Sequence, residues 1–137
     1  MSPFSLLEHT ADIGLEIHAV SLPALFAEAG LGLLAVLAPA TPARIVRSRS
    51  IHIEGAEPAE LLVGWLNEIL FWLETTGLLP GAFEIRSATD RELRAVIRGE
   101  DLQPRHRLQR EVKAATWHQL LLEPEGDGWF ARLYLDL

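Results

Sequence analysis

Two long segments of the chain repeat their apolar residues at the three- and four-residue spacing of an α-helix, which limits the folds open to it. The first follows Ser21, a predicted N-cap, carries Pro23 in its first turn and ends before Pro39. The second opens at Glu57-Pro58 and ends at Gly77. The residues expected to be buried are Leu22, Leu25, Phe26, Ala29, Leu33, Val36 and Leu37 in the first helix, and Leu61, Leu62, Trp65, Leu66, Ile69, Leu70 and Leu73 in the second.

Much of the remaining chain alternates apolar and polar residues with the period of two that is typical of a half-buried strand. The pattern is clear at residues 13–20, 45–53 and 129–137, and in the last of these Phe130, Arg132, Tyr134 and Asp136 share one face. Turn-rich segments at 87–90 and 124–128 predict hairpins. Two helices and about seven strands indicate one α+β domain over residues 1–137, with a mainly antiparallel sheet and two helices packed on it.

The charge balance and the lack of cysteine exclude several classes of function. A net charge of −7 argues against a general nucleic-acid binder, because affinity for phosphates rests on basic side chains. Any link to RNA is therefore expected to run through a partner protein. The absence of cysteine rules out disulfides and thiolate metal sites and fits a reducing compartment. Because the start resembles no signal peptide and no apolar run is long enough to span a membrane, we expect a cytoplasmic protein.

A polar stretch interrupts the strand-like runs near the N-terminus, where Glu8, His9, Thr10 and Asp12 lie within residues 7–14. An unpaired polar group in a core costs about 1–3 kcal/mol, so the stretch is expected to form either a solvated turn or a functional site. Taken alone, the pattern favours a turn, since Asp followed closely by Gly is common in turns.

A second isolated acid, Asp136, stands at the far end of the sequence beside Leu137, which we expect to carry a free carboxylate. If the last strand lies beside the first turn, the carboxyl groups of Asp12, Asp136 and Leu137 converge. Calcium and magnesium prefer such oxygen ligands, and three close negative charges repel unless they are neutralised. A divalent cation would neutralise them, or the basic groups of Lys113, Arg132, His9 or His118 would do part of that instead.

Other polar motifs carry weaker indications. The chain has no glycine-rich phosphate loop, nucleophile elbow or metal-binding pair of helical histidines. Asn67-Glu68 interrupts a strongly apolar helix and forms either a solvated flank or a contact that holds a neighbouring loop. The basic run Arg105, His106, Arg107 and Arg110 favours a flexible charged loop over a contact surface.

Four blocks of sequence, in order, resemble the motifs of the archease family. His9-Thr10-Ala11-Asp12-Ile13-Gly14 is similar to its opening signature, and Leu61-Leu62-Val63 followed by Trp65-Leu66-Asn67-Glu68 resembles its middle helix. Val112-Lys113-Ala114-Ala115-Thr116-Trp117-His118 is similar to its third motif, and Leu135-Asp136-Leu137 resembles its acidic end. Trp117 stands where the family often has Tyr, and Leu137 where Val or Ile is common. The resemblance spans essentially the whole chain.

The resemblance implies a non-catalytic accessory protein of the RNA-splicing ligase, which joins 2′,3′-cyclic-phosphate or 3′-phosphate RNA ends to 5′-hydroxyls using GTP and divalent metal. Archeases promote guanylylation of that ligase and its multiple turnover in tRNA splicing, so GTP and RNA are expected to reach this protein only through the ligase. The implied metal ligands are Asp12, Asp136 and Leu137, with calcium the usual assignment and magnesium or manganese as alternatives. The implied supporting residues are His9, Thr10, Asn67, Glu68, Lys113, Thr116 and His118.

Two other functions remain open from the sequence. The first is a chaperone or specificity factor for a tRNA methyltransferase, a role also associated with the family. The second is a stand-alone hydrolase that uses the acids and His9.

Overall fold

The structure, a computed structural model, describes residues 3–8 and 11–137, apart from the side chain of Glu8. Its elements in chain order are β1 (Phe4–Glu8), β2 (Asp12–Ala19), α1 (Leu22–Leu37), β3 (Arg47–Glu54), α2 (Pro58–Thr76), β4 (Leu78–Ala88), β5 (Glu92–Asp101), β6 (Ala114–Glu125) and β7 (Gly128–Asp136). A short 3₁₀ turn at Pro104–His106 precedes β6. The predicted α+β class, with two helices packed on antiparallel sheet, is confirmed.

The strands form two antiparallel sheets, whereas the sequence predicted one. The first sheet has the order β1-β2-β7-β6, and the second has the order β3-β5-β4. Hairpin signals identify strands that pair locally, but they do not show whether successive hairpins join edge to edge. The sequence therefore predicted the pairing direction and not the division into two sheets.

Both helices begin and end at the predicted signals. Ser21 caps α1, because its hydroxyl accepts a hydrogen bond from the N–H of Ala24 at 3.2 Å. Helix α2 ends at Gly77, whose φ of 72° is the left-handed conformation that glycine adopts most easily. Within the described ranges, neither helix combines the length and apolar character needed to cross a membrane.

One apolar core joins the helices to both sheets. Trp65 of α2 is fully buried at its centre, and its indole N–H donates to the carbonyl of Phe26 in α1 at 2.9 Å. The Trp65 ring also meets Phe83 of β4 edge-on, with ring centroids 5.7 Å apart. The inward face of β2, formed by Ile13, Leu15 and Ile17, packs into the same core. The polar residues of β2 therefore lie on the opposite face of the first sheet.

Candidate functional site

Two carboxylates face each other at one end of the first sheet. Asp12 of β2 and Asp136 of β7 are direct cross-strand partners, so their side chains project from the same face. Asp136 is exposed and Asp12 is partly buried. The Oδ1 atom of Asp12 is shielded from solvent and has no hydrogen-bond partner within the described part of the chain. Like charges directly opposite each other destabilise a sheet, so a positive charge placed beside this pair would stabilise it.

Backbone hydrogen bonds hold the last two residues beside this pair. The N–H of Leu137 donates to the carbonyl of Ala11 at 3.2 Å, and the N–H of Lys113 donates to the carbonyl of Asp136 at 2.8 Å. The backbone of Leu137 is therefore held beside Ala11, the residue before Asp12. Oxygen donors grouped in this way fit a hard divalent cation, and the shielded Oδ1 of Asp12 is the atom that most needs one.

An aromatic ring lies beside the carboxylates on the same face. Tyr134 of β7 pairs with Gly14 of β2, one step along the outer face from Asp136. A Cβ atom on Gly14 would lie 3.0 Å from Cε1 of Tyr134 and 3.0 Å from Cβ of Leu7. A side chain at this position would require Tyr134 or Leu7 to shift, so glycine allows the close approach of the Tyr134 ring.

The third strand of this end, β6, contributes two of the expected supporting residues. Thr116 is opposite Tyr134 and donates its hydroxyl to the Tyr134 carbonyl at 3.2 Å. The ring of His118 lies 6.0 Å from the ring of Tyr134. The pairing of β6 with β7 is irregular between Thr116 and Leu121, and Gln119 there has a positive φ of 52°. The side chain of Trp117, which lies within this bulge, is exposed.

Asn67 and Glu68 make different contacts, although they are adjacent on α2. The Asn67 amide binds both backbone groups of Ala115 in β6, at 2.8 and 3.1 Å. Glu68 accepts a hydrogen bond from the indole N–H of Trp72, one turn further along its own helix, at 3.0 Å. Of the two, Asn67 is therefore the one that holds a neighbouring segment beside the acidic pair.

The structure brings together Asp12, Asp136 and Leu137. Thr116 and His118 lie on the strand beside them. Lys113 is linked to Asp136 through the backbone. The side chain of Lys113 is exposed. His9 and Thr10 lie outside the described residues. Sequence reasoning did not select Gly14 and Tyr134, although the alternation along β7 already put Tyr134 on the face of Asp136.

A second group of ionisable side chains lies at the edge of the second sheet. His52 approaches Glu92 at 3.0 Å and Glu54 at 3.6 Å, while Arg94 binds Glu92 at 3.3 Å. The hydrogen bond from His52 lowers the pKa of the Glu92 carboxyl below its usual value. Arg94 compensates one of the two carboxylate charges in this exposed group, and the ligand atoms of His52, Glu54 and Glu92 lie close enough together to hold a metal ion.

His106 is fully buried, contrary to the flexible charged loop that the basic run favoured. Its Nδ1 accepts a hydrogen bond from the Gln103 N–H at 2.7 Å, and its Nε2 lies 3.3 Å from Glu100. Glu100 is itself buried and also binds the Arg105 guanidinium at 2.6 Å. The hydrogen bond from the Arg44 N–H, helped by those from Arg105 and His106, lowers the pKa of the Glu100 carboxyl. This cluster anchors the segment that leads to β6.

The sequence matches known proteins over nearly its whole length. A sequence profile of the Archease protein family (MTH1598/TM1083) matches residues 4–137. Protein archease of Methanopyrus kandleri is 34% identical over 139 residues, which cover 98% of this chain and 99% of the relative. The chain belongs to the archease family.

Solved structures agree with this assignment to the archease family. The solution structure of Methanobacterium thermoautotrophicum protein 1598 superposes with a TM-score of 0.85 at 28% identity and covers 100% of both chains. A Thermotoga maritima crystal structure, described as an archease and possible chaperone, gives a TM-score of 0.68 at 24% identity, with 96% of this chain and 94% of that chain covered. At that identity, the second likeness supports the fold alone.

Proposed function

We propose that this archease activates a GTP-dependent RNA-splicing ligase, promoting guanylylation and multiple turnover of the ligase in tRNA splicing and RNA repair. The observation that carries the proposal is the placement of Asp12 directly opposite Asp136, with Oδ1 of Asp12 shielded and without a described partner. Such a pair is costly to the fold unless a cation, a basic group of the chain itself or positive charge on another molecule neutralises it. An accessory role fits an acidic protein whose polar residues gather at one end of a sheet.

The proposed metal site consists of Asp12, Asp136 and the carboxylate of Leu137, and calcium is the expected cation, with magnesium or manganese as alternatives. Bound there, the cation would neutralise the carboxylates and offer positive charge to phosphate oxygens of a partner's nucleotide. The protein's own residues position the site. Gly14 admits the Tyr134 ring beside the acids, and Lys113 holds the backbone of Asp136.

Ligase guanylylation and multiple-turnover RNA sealing, measured with and without this protein, test the proposal. We expect stimulation by the wild type and none by Asp12→Asn, which keeps the size of the side chain but removes its charge. Asp90→Asn, in the exposed turn between β4 and β5, is the matched control and should stimulate normally. Equal stimulation by the wild type and Asp12→Asn would support the ligase as the partner and contradict the proposed metal site.

A role as chaperone or specificity factor for a tRNA methyltransferase is the second candidate. It is kept because the resemblance to the archease family implies such a role. If the wild type fails to stimulate its cognate ligase but binds the methyltransferase and changes its product pattern, this candidate replaces the first.

A further inference from the structure

The C-terminal ends of both helices border a groove that opens near the acidic pair. Leu37, Leu70, Leu73, Leu102, Leu108 and Val112 line it, and its volume is about 380 Å³. Leu37, Leu70 and Val112 are buried and form the floor, whereas Leu102 is 41% exposed at the rim. We call this feature the helix-end groove. It can accept one bulky apolar side chain from outside.

The rim of the helix-end groove is negative. Glu74 and Glu111 line it, with Lys113 as the basic residue among the lining groups. Helices α1 and α2 both end here, and neither has a basic residue in its last turn. A helix C-terminus carries a partial negative charge of about half an electron, which Glu74 increases rather than offsets. An occupant of the groove should therefore carry positive charge next to its apolar group.

Backbone contacts connect the helix-end groove with the acidic pair. Lys113 lines the groove, and its N–H donates to the carbonyl of Asp136 at 2.8 Å. One backbone contact therefore joins a residue of the groove lining to a residue of the acidic pair.

We propose that the helix-end groove is a docking site for a segment of the partner ligase in which a bulky apolar residue is flanked by lysine or arginine. This inference rests on the proposed function and adds a second contact to it. The negative rim disfavours binding of RNA or of an anionic membrane in the groove. A net charge of −7 likewise disfavours the association of two copies of this chain, because the copies repel each other.

Affinity of the full chain for its cognate ligase, measured by biolayer interferometry over a range of salt concentrations, tests the docking site. The double variant Glu74→Lys/Glu111→Lys should bind about tenfold more weakly and show a smaller dependence on salt. Loss of folding does not confound this variant, because a lysine in the last turn of α2 complements the helix dipole. Leu102→Asp should also weaken binding.

Matched controls lie away from the groove. Glu123→Lys, on β6 towards the β6–β7 turn, makes the same charge change, and Val20→Asp places a charge on a side chain that is already 84% exposed. Both should bind like the wild type. The groove variants should regain full stimulation of guanylylation at high concentration, because they lose affinity, whereas Asp12→Asn should not.

Each contrary result has a distinct meaning. Unchanged affinity in both groove variants overturns the docking site and leaves the proposed function to be judged by Asp12→Asn. A dimer in sedimentation that Leu102→Asp disrupts assigns the groove to a second copy and overturns the ligase segment. A wild-type protein that neither binds nor stimulates its cognate ligase overturns the proposed function and this inference together.

Discussion

The side-chain amide of Asn67 satisfies both peptide groups of Ala115, donating to the carbonyl at 3.1 Å and accepting from the N–H at 2.8 Å. Strand β6 is an edge of the first sheet, so its outward peptide groups have no neighbouring strand to bind. At Ala115, the Asn67 side chain takes the place of the missing neighbouring strand. Because Ala114 is the cross-strand partner of Asp136, the contact also fixes the strand next to the acidic pair.

Asn67→Ala should lower the free energy of unfolding by about 2 kcal/mol, because it leaves a partly buried donor and acceptor without partners. Urea denaturation at neutral pH measures the change. Thr75→Ala, on the same helix but exposed, is the control and should stay within about 0.5 kcal/mol of the wild type. Wild-type stability in Asn67→Ala would mean that another group satisfies the Ala115 backbone.

Asp136→Asn should have opposite effects on stability with and without a divalent cation. Without one, the variant should be as stable as the wild type or more so, since the charge repulsion with Asp12 is removed. With calcium at about a hundred times its dissociation constant, the wild type should gain about 2.7 kcal/mol and the variant much less. Thermal unfolding in chelator and in calcium measures both. A calcium-induced gain of the same size in the variant would contradict the proposed ligand set.

Gly14→Ala should destabilise the protein by about 1–3 kcal/mol, because the new methyl group would crowd Tyr134 and Leu7. Gly64→Ala is the matched control. Its Cβ would make ordinary contact with Ile53 at 3.4 Å inside α2, so we expect a gain of up to about 1 kcal/mol. Denaturant unfolding of both variants separates the two effects. Equal gains would show that the strand pair has room for a side chain at Gly14.

Glu100→Gln should destabilise the protein at neutral pH, and the difference from the wild type should shrink in acid. The folded-state pKa of Glu100 is lowered by the hydrogen bond from Arg44. Its stabilising contribution is therefore complete above the unfolded value of about 4.3 and is lost as the pH falls through the lower folded-state pKa. Chemical denaturation between pH 3 and pH 7 tests this, and a difference that stays constant across the range would exclude the carboxylate as its source.

Local signals predicted the elements well. Ser21 and Gly77 mark the helix boundaries through caps that depend on a few neighbouring residues, and the alternation along β7 put Asp136 on the correct face. Such features follow from short-range chemistry that can be recognised in one segment.

Long-range pairings were harder to predict. The burial of His106 depends on Glu100 and on the Gln103 N–H, a combination that a basic run does not reveal. The pairing of Asp12 with Asp136 could be stated only as a condition, because it requires β7 to lie between β2 and β6. The bulge at 117–120 likewise depends on the register of β6 with its partner.

The position of β7 inside the first sheet has a consequence for synthesis on the ribosome. Strand β2 emerges early, but β7, which pairs with the edge of β2 that β1 leaves open, is made only after the second sheet and both helices. The β3–β5 segment contains all strands of the second sheet and can associate with the helices while the chain is still growing. The nascent hairpin β1–β2 keeps an unpaired edge until then, and the acidic pair forms only once β7 has been made and has paired with β2.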